Sequence, residues 1–192
     1  MLPIHLAANR GHIEICQQLL TDSKNENHYG KYGVTPLHFA ALAGHLEVFK
    51  LFHANAVVKN PKMTQSQNEA TPFHLAAERG HLKIFEFIIE KEVDKNPADI
   101  RGVTPLHIAA RNGHLDICKL IFNYVDEKNP ISDQGCTPLH YAAQGGHLNV
   151  CKLIMANNDD IAHKNLFGTT PMDLAIHFNH IYVIQLFRLA AI

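Results

Sequence analysis

A repeating helical solenoid is the fold class that this 192-residue chain predicts, and three observations carry it. Prolines stand at Pro3, Pro36, Pro72, Pro105, Pro138 and Pro171, a spacing of 33 residues broken once by 36. One word surrounds them: Thr35-Pro36-Leu37-His38, Thr71-Pro72-Phe73-His74, Thr104-Pro105-Leu106-His107 and Thr137-Pro138-Leu139-His140, with Leu2-Pro3-Ile4-His5 first and Thr170-Pro171-Met172-Asp173 last. An alanine follows each proline by four residues, and four residues later comes Gly or Asn followed by His, as in Ala109-Ala110-Arg111-Asn112-Gly113-His114. A fixed period of this kind marks stacked supersecondary units.

Each element of one copy has a local cause. Thr104 is a good helix N-cap, and Pro105 fits the first helical position, where its missing N–H costs nothing. A short helix runs from there to about Asn112, and Gly113 supplies the left-handed residue that ends it. Leu115, Ile117, Cys118, Ile121 and Phe122 then recur at helical spacing in a second helix. Asp126-Glu127-Lys128-Asn129-Pro130 is a polar turn segment, with Gly135 ahead of the next Thr-Pro. Helices this short are unstable alone, so the units must stack to share a core.

Composition narrows the function. Apolar residues are 46% of the chain, charged residues 18%, and the formal net charge is −1. That balance excludes a disordered chain and argues against a non-specific nucleic-acid binder, which needs a basic excess. No apolar stretch is long enough to span a membrane, the first residues lack a signal-peptide pattern, and no Asn-x-Ser/Thr site occurs. The four cysteines form no CxxC pair, which favours free thiols in a reducing compartment, cytoplasmic or nuclear. Length alone suggests one domain or two.

The period, the Thr-Pro-Leu-His word and the Ala-Ala-x-x-Gly-His word together resemble the ankyrin repeat, over nearly the whole chain. The resemblance implies six units, at about 1–29, 30–65, 66–98, 99–131, 132–164 and 165–192, in a single domain over 1–192. Each would have two antiparallel helices and a projecting β-hairpin or extended loop, stacked in a slightly curved array about 50–60 Å long at ordinary helix spacing.

Departures are informative. Three extra residues lie between Pro61 and Thr71, and Glu69 stands where Gly33, Gly102 and Gly135 stand elsewhere. This loop should be longer than its neighbours, a tolerated insertion or a dedicated contact. The last copy has Ile176 in an alanine slot and Asn179 in the glycine slot; Asn tolerates the left-handed turn. The first copy begins at its helix, and the last ends on apolar Leu186, Phe187, Leu189 and Ile192, where solenoids need polar caps, so the ends are either atypical caps or, as favoured here, the edges of a piece of a longer array.

Fifteen histidines invite a metal or catalytic reading, and the period dissolves it. His5, His38, His74, His107 and His140 belong to the proline word, while His12, His45, His81, His114, His147 and His180 follow the turn residue. Only His28, His53, His163 and His177 remain. Ligand histidines would cluster at short spacings instead. The resemblance implies that the proline-word histidines bond backbone near the loop and tie neighbouring units. Cys16, Cys118 and Cys151 share a slot filled by Phe49, Phe85 and Ile184 in other copies, so they should be buried and inert. Cys136, beside the loop, should be more exposed. No nucleotide-binding or nucleophile-elbow motif occurs. No enzyme activity, cofactor or metal is expected.

What remains is a surface. The resemblance places variable positions on the loop tips and the exposed side of the first helices. On the helices these are Arg10, Leu42, Glu78, Arg79, Arg111, Asn112, Gln144, His177 and Phe178. On the loops they include Lys31, Tyr32, Ile100, Arg101, Gln134 and Phe167, together with Val103, Gln67 and Asn68. Arginine and aromatic residues are typical binding anchors. The expected function is a non-enzymatic protein-interaction module, a scaffold or adaptor binding on its concave groove. A regulatory or targeting segment of a larger enzyme or channel is the alternative. Arg10, Lys31, Arg79, Arg101 and Arg111 outweigh Glu78 and Asp133 on this face, so an acidic protein or peptide with apolar anchors is the expected partner, with no nucleic acid, no membrane insertion and a monomeric chain. The resemblance further allows asparagine hydroxylation eight residues before the Thr, at Asn27, Asn96, Asn129 and, allowing for the insertion, Asn60; Asn also suits turns.

Overall fold

Each proline word starts a helix in the computed structural model, which describes residues 1–21, 28–64 and 69–190. Gln67, Asn68, Asn27 and most of the three-residue insertion lie outside the described residues. Twelve helices appear among those described, and they come in pairs. The first unit, Met1–Val93, holds α1 (Pro3–Arg10) with α2 (Ile13–Thr21), α3 (Pro36–Ala43) with α4 (Leu46–Asn55), and α5 (Pro72–Arg79) with α6 (Leu82–Lys91). The second, Asp94–Ile192, holds α7 (Pro105–Asn112) with α8 (Leu115–Tyr124), α9 (Pro138–Gly145) with α10 (Leu148–Met155), and α11 (Pro171–His177) with α12 (Ile181–Ala190).

Within each unit the first helices pack against one another, α1 on α3 on α5 and α7 on α9 on α11. The alanine pair makes this possible. Ala40, Ala41, Ala76, Ala77, Ala109, Ala110, Ala142 and Ala143 are fully buried, so small side chains let these helices approach closely. The second helices supply bulk: Phe49, Ile84, Phe85, Ile88, Ile117 and Ile121 are buried beneath them. Each large side chain taken from water contributes about 1.5–3 kcal/mol. Cys16, Cys118 and Cys151 are buried in the same slot, and Ile184 is half-buried in the last pair. Burial pushes the Cys118 and Cys151 thiols up to about 12 and Cys16 to about 11.

The proline-word histidine does more than expected. In α3 the Thr35 N–H donates to His38 Nδ1 at 3.1 Å, and the Thr35 hydroxyl lies 2.9 Å from the same nitrogen. An N–H can only donate, so Nδ1 accepts and the imidazole proton sits on Nε2. That proton is donated to a carbonyl of the next loop. His38 Nε2 reaches Ala70 O at 3.3 Å, His107 reaches Cys136 O at 3.1 Å, and His140 reaches Thr169 O at 3.1 Å. His5 likewise meets His28 O at 2.8 Å. At α11 Asp173 replaces the histidine; it accepts from Thr170 N and Oγ1 at 2.9 and 2.7 Å, and these bonds hold its carboxyl below the usual range.

The second histidine set points backward. His45 Nε2 reaches Asn9 O at 3.2 Å, His81 reaches Leu42 O at 3.1 Å, His147 reaches Arg111 O at 2.9 Å and His180 reaches Gln144 O at 2.9 Å. Their rings lie against the glycine that ends the preceding pair's first helix. At Gly113 (φ +77°) an added Cβ would stand 2.5 Å from the His147 ring, so glycine is needed there for both conformation and space. Asn179, at φ 58°, takes the corresponding left-handed position in the last pair, and Ile176 is exposed.

The projecting segments are extended loops, and no strand occurs among the described residues. Each closes through a single short turn. Asp99 N–H donates to Val103 O at 2.8 Å, while Asp99 Oδ1 accepts from Arg101 N and Val103 N at 2.8 and 2.9 Å. Asn165 repeats this pattern toward Phe167 and Thr169. One backbone bond joins successive loops of the second unit: Asp133 N to Arg101 O at 2.9 Å and Leu166 N to Gln134 O at 3.0 Å. With the side-chain oxygen taking the turn N–H groups, too few backbone groups remain for a ladder. Glu69 occupies the left-handed region at φ 50°, taking the conformation of the glycine it replaces at a cost glycine avoids.

Candidate functional site

Subtracting the groups that hold the fold leaves one side of each unit, formed by the first helices and the loop tips. In the first unit, Lys31 and Tyr32 share a tip, with Lys31 Nζ 4.7 Å from the Tyr32 ring centre. Tyr32 sits at φ 66° and is 46% exposed. Arg10, Glu78 and Arg79 are exposed on helix ends. Arg79 Nε lies 3.7 Å from Glu78 Oε1, so its charge is partly answered by its neighbour. Leu42 departs from the exposed strip expected of it: it is half-buried at the end of α3, and its carbonyl accepts from His81, which belongs to the following pair.

In the second unit the expected residues converge. Arg101, Arg111, Gln134, Gln144 and Phe167 all border one cleft of about 320 Å³ between the loops and the first helices. Arg101 is fixed from below: its Nε and Nη2 donate to Asp99 Oδ2 at 3.3 and 3.0 Å, and the Asp99 side chain is only 1% exposed. Phe167 is 75% exposed at the loop tip. Ile100 and Asn112 are exposed but do not border the cleft, and Val103, expected on the tip, is buried where it pairs with Asp99. His177 and Phe178 are exposed at the end of α11, their rings edge-on at 4.8 Å.

Sequence reasoning missed Tyr141, along with Cys136, His140, Asn165 and Leu174, among the residues that border the cleft. Tyr141 follows the proline-word histidine directly, a position held elsewhere by Leu6, Phe39, Leu75, Ile108 and Leu174, and so reads as core. It is half-buried, its ring edge-on to His107 at 5.1 Å. Burial pushes its phenol up, while the nearby charges of Arg101 and Arg111 pull against that. The available signal was chemical: of six residues at this slot, only Tyr141 carries a hydroxyl. Cys136 also borders the cleft, half-buried, with Asn165 Nδ2 donating to its Sγ at 3.5 Å.

Three acids of the second helices are answered locally. Lys50 pairs with Glu47 at 2.8 Å, Lys83 with Glu86 at 3.1 Å and Lys119 with Asp116 at 3.1 Å. Among the described residues no group of three or more His, Cys, Asp or Glu side chains could hold a metal ion, and no helix is long and apolar enough to cross a membrane.

Asn96 helps to hold the fold. Its Oδ1 accepts from Leu106 N at 3.1 Å, satisfying a free N–H of the first turn of α7. The corresponding Asn60 Oδ1, next to the insertion, is buried without a hydrogen-bond partner.

Comparison with known proteins agrees with this architecture. No curated protein matches the chain. The family profile described as ankyrin repeats (3 copies) matches it three times, over residues 1–62, 53–132 and 124–190. With paired helices, alanine-lined contacts and histidine ties repeated at the same period, the chain belongs to the ankyrin-repeat family.

Proposed function

We propose that this chain is a non-enzymatic interaction module whose first helices and loop tips receive an acidic protein segment carrying apolar anchors. Ankyrin repeats are in general protein-interaction modules and are typically non-catalytic. One observation carries the finer reading: the cleft of the second unit gathers Arg101, Arg111, Gln134, Gln144 and Phe167 on a face that the repeat itself does not consume. Glu47, Glu86 and Asp116 of the second helices are paired with lysines, whereas Arg10 and Arg111 have no ion-pair partner among the described residues. Unanswered arginines beside exposed aromatic rings suit a carboxylate-bearing partner with apolar side chains. A preformed surface also loses little ordering entropy on binding.

Affinity capture from cell lysate with the full chain and with an Arg79→Glu/Arg111→Glu variant tests the proposal. A protein retained by the former, lost from the latter and released by salt is the expected result. Retention indifferent to both the double reversal and salt would sink the acidic-partner reading.

A further inference from the structure

We infer that the cleft of the second unit reads a two-residue signature in an extended peptide: one carboxylate side chain beside one aliphatic or aromatic side chain. This inference rests on the interaction-module reading above and adds the ligand chemistry of one cleft.

Charge balance selects a monoanion. Arg101 and Arg111 border the cleft and no carboxylate does. Arg101 is already joined to the buried Asp99 by two hydrogen bonds, so that pair is locally neutral. Arg111 has no such partner among the described residues and supplies one open positive charge. A carboxylate matches a single charge. A phosphate dianion would bring a surplus negative charge close to buried Asp99, at a cost. Tyr141 lines the same cleft and carries a hydroxyl proton that an acceptor can take, beside the Arg101 and Arg111 guanidinium groups.

The other features fix the rest of the signature. Phe167 stands exposed at one margin of the cleft and Leu174 is half-buried in it, an apolar seat for a second side chain. Gln134 and Gln144 make no side-chain hydrogen bond to a described residue, and each carboxamide can both give and accept. A helical ligand would satisfy its own main-chain groups, whereas an extended one presents them to such amides. A cleft of about 320 Å³ suits side chains rather than an inserted helix.

The test is selection of randomised linear peptides displayed against the full chain, repeated on Arg111→Glu and Tyr141→Phe variants. Arg111 is chosen over Arg101 because removing Arg101 would strand buried Asp99. Circular dichroism melts confirm that the variants remain folded. The expected outcome is enrichment of peptides with Asp or Glu next to Leu, Ile or Phe. Affinity for such a peptide should fall at least about tenfold in Arg111→Glu and measurably in Tyr141→Phe. The Arg111→Glu variant should in turn enrich Lys or Arg at the former acidic position, which a merely structural role for Arg111 would not produce. A synthetic peptide with phosphoserine at that position should bind more weakly than its glutamate form.

Tighter phosphoserine binding overturns the monoanion assignment. Enriched peptides that lack an acid, or that ignore Arg111→Glu, overturn the cleft while leaving the module reading standing. No enrichment at all also overturns the cleft, and lysate capture then decides the module reading separately.

Discussion

His38, His107 and His140, each two residues after a repeat proline, play opposite parts at their two ring nitrogens. Nδ1 accepts from the threonine that caps its own helix, and Nε2 donates to the next loop. The Nδ1 bond requires the neutral ring, because a proton on Nδ1 would face the threonine N–H. Burial opposes the charged form too: it pushes His38 and His107 down to about 4 from the ordinary 6.5, and His5 and His140 in the same direction. The unfolded chain therefore binds more protons than the folded one between about pH 6.5 and 4. Stability should be complete above that window and fall through it, by on the order of 2–3 kcal/mol for each of His38 and His107. Urea midpoints measured from pH 7.5 to pH 4.5 check this, and a flat profile would contradict it. The sequence made these histidines legible as structural because they recur with the period. It also displayed Asp173 in the histidine's place, while the folded turn shows the bonds to Thr170 that Asp173 makes there.

At the scale of one helix pair, the helix ends make separable contributions to stability. Gly113→Ala should destabilise by at least about 1–2 kcal/mol, since alanine meets a left-handed φ of +77° and the His147 ring together. Asn96→Ala should cost about 1 kcal/mol by stranding the Leu106 N–H. The same change at Asn60 should be neutral or slightly stabilising, because its buried oxygen has no partner to lose. Thermal melts of the three variants, compared side by side, test the ranking. Helix positions were readable from Pro, Gly and apolar spacing, since those signals act within a few residues. The loops were read less well. A hairpin was one expectation, but Asp99, Ser132 and Asn165, 33 residues apart, each take a turn N–H group with the side chain, a polar slot whose bonds only the folded loop reveals.

Across the whole molecule, thiol chemistry offers a simple check of burial. Under native conditions a thiol reagent should reach Cys136 first, while Cys16, Cys118 and Cys151 react only when their helix pairs open. Mass spectrometry of briefly labelled protein reads the order. Reversing Arg79 and Arg111 to glutamate should leave the melting temperature nearly unchanged, because both are exposed and the Arg79–Glu78 contact is a surface pair worth about 0–1 kcal/mol. A large loss would move these arginines off the outer face. Half of the cleft residues could be chosen from the sequence because subtraction of the period leaves the variable positions. Tyr141 could not, because it hides in a slot that is apolar in every other copy. The imidazole ties also give each unit an internal clock. A proton shared by Nε2 and a neighbouring carbonyl can be swapped for deuterium only while those two helix pairs stand apart. Its nitrogen-bound resonance thus times the brief partings of one pair from the next, junction by junction, in a chain that otherwise repeats itself.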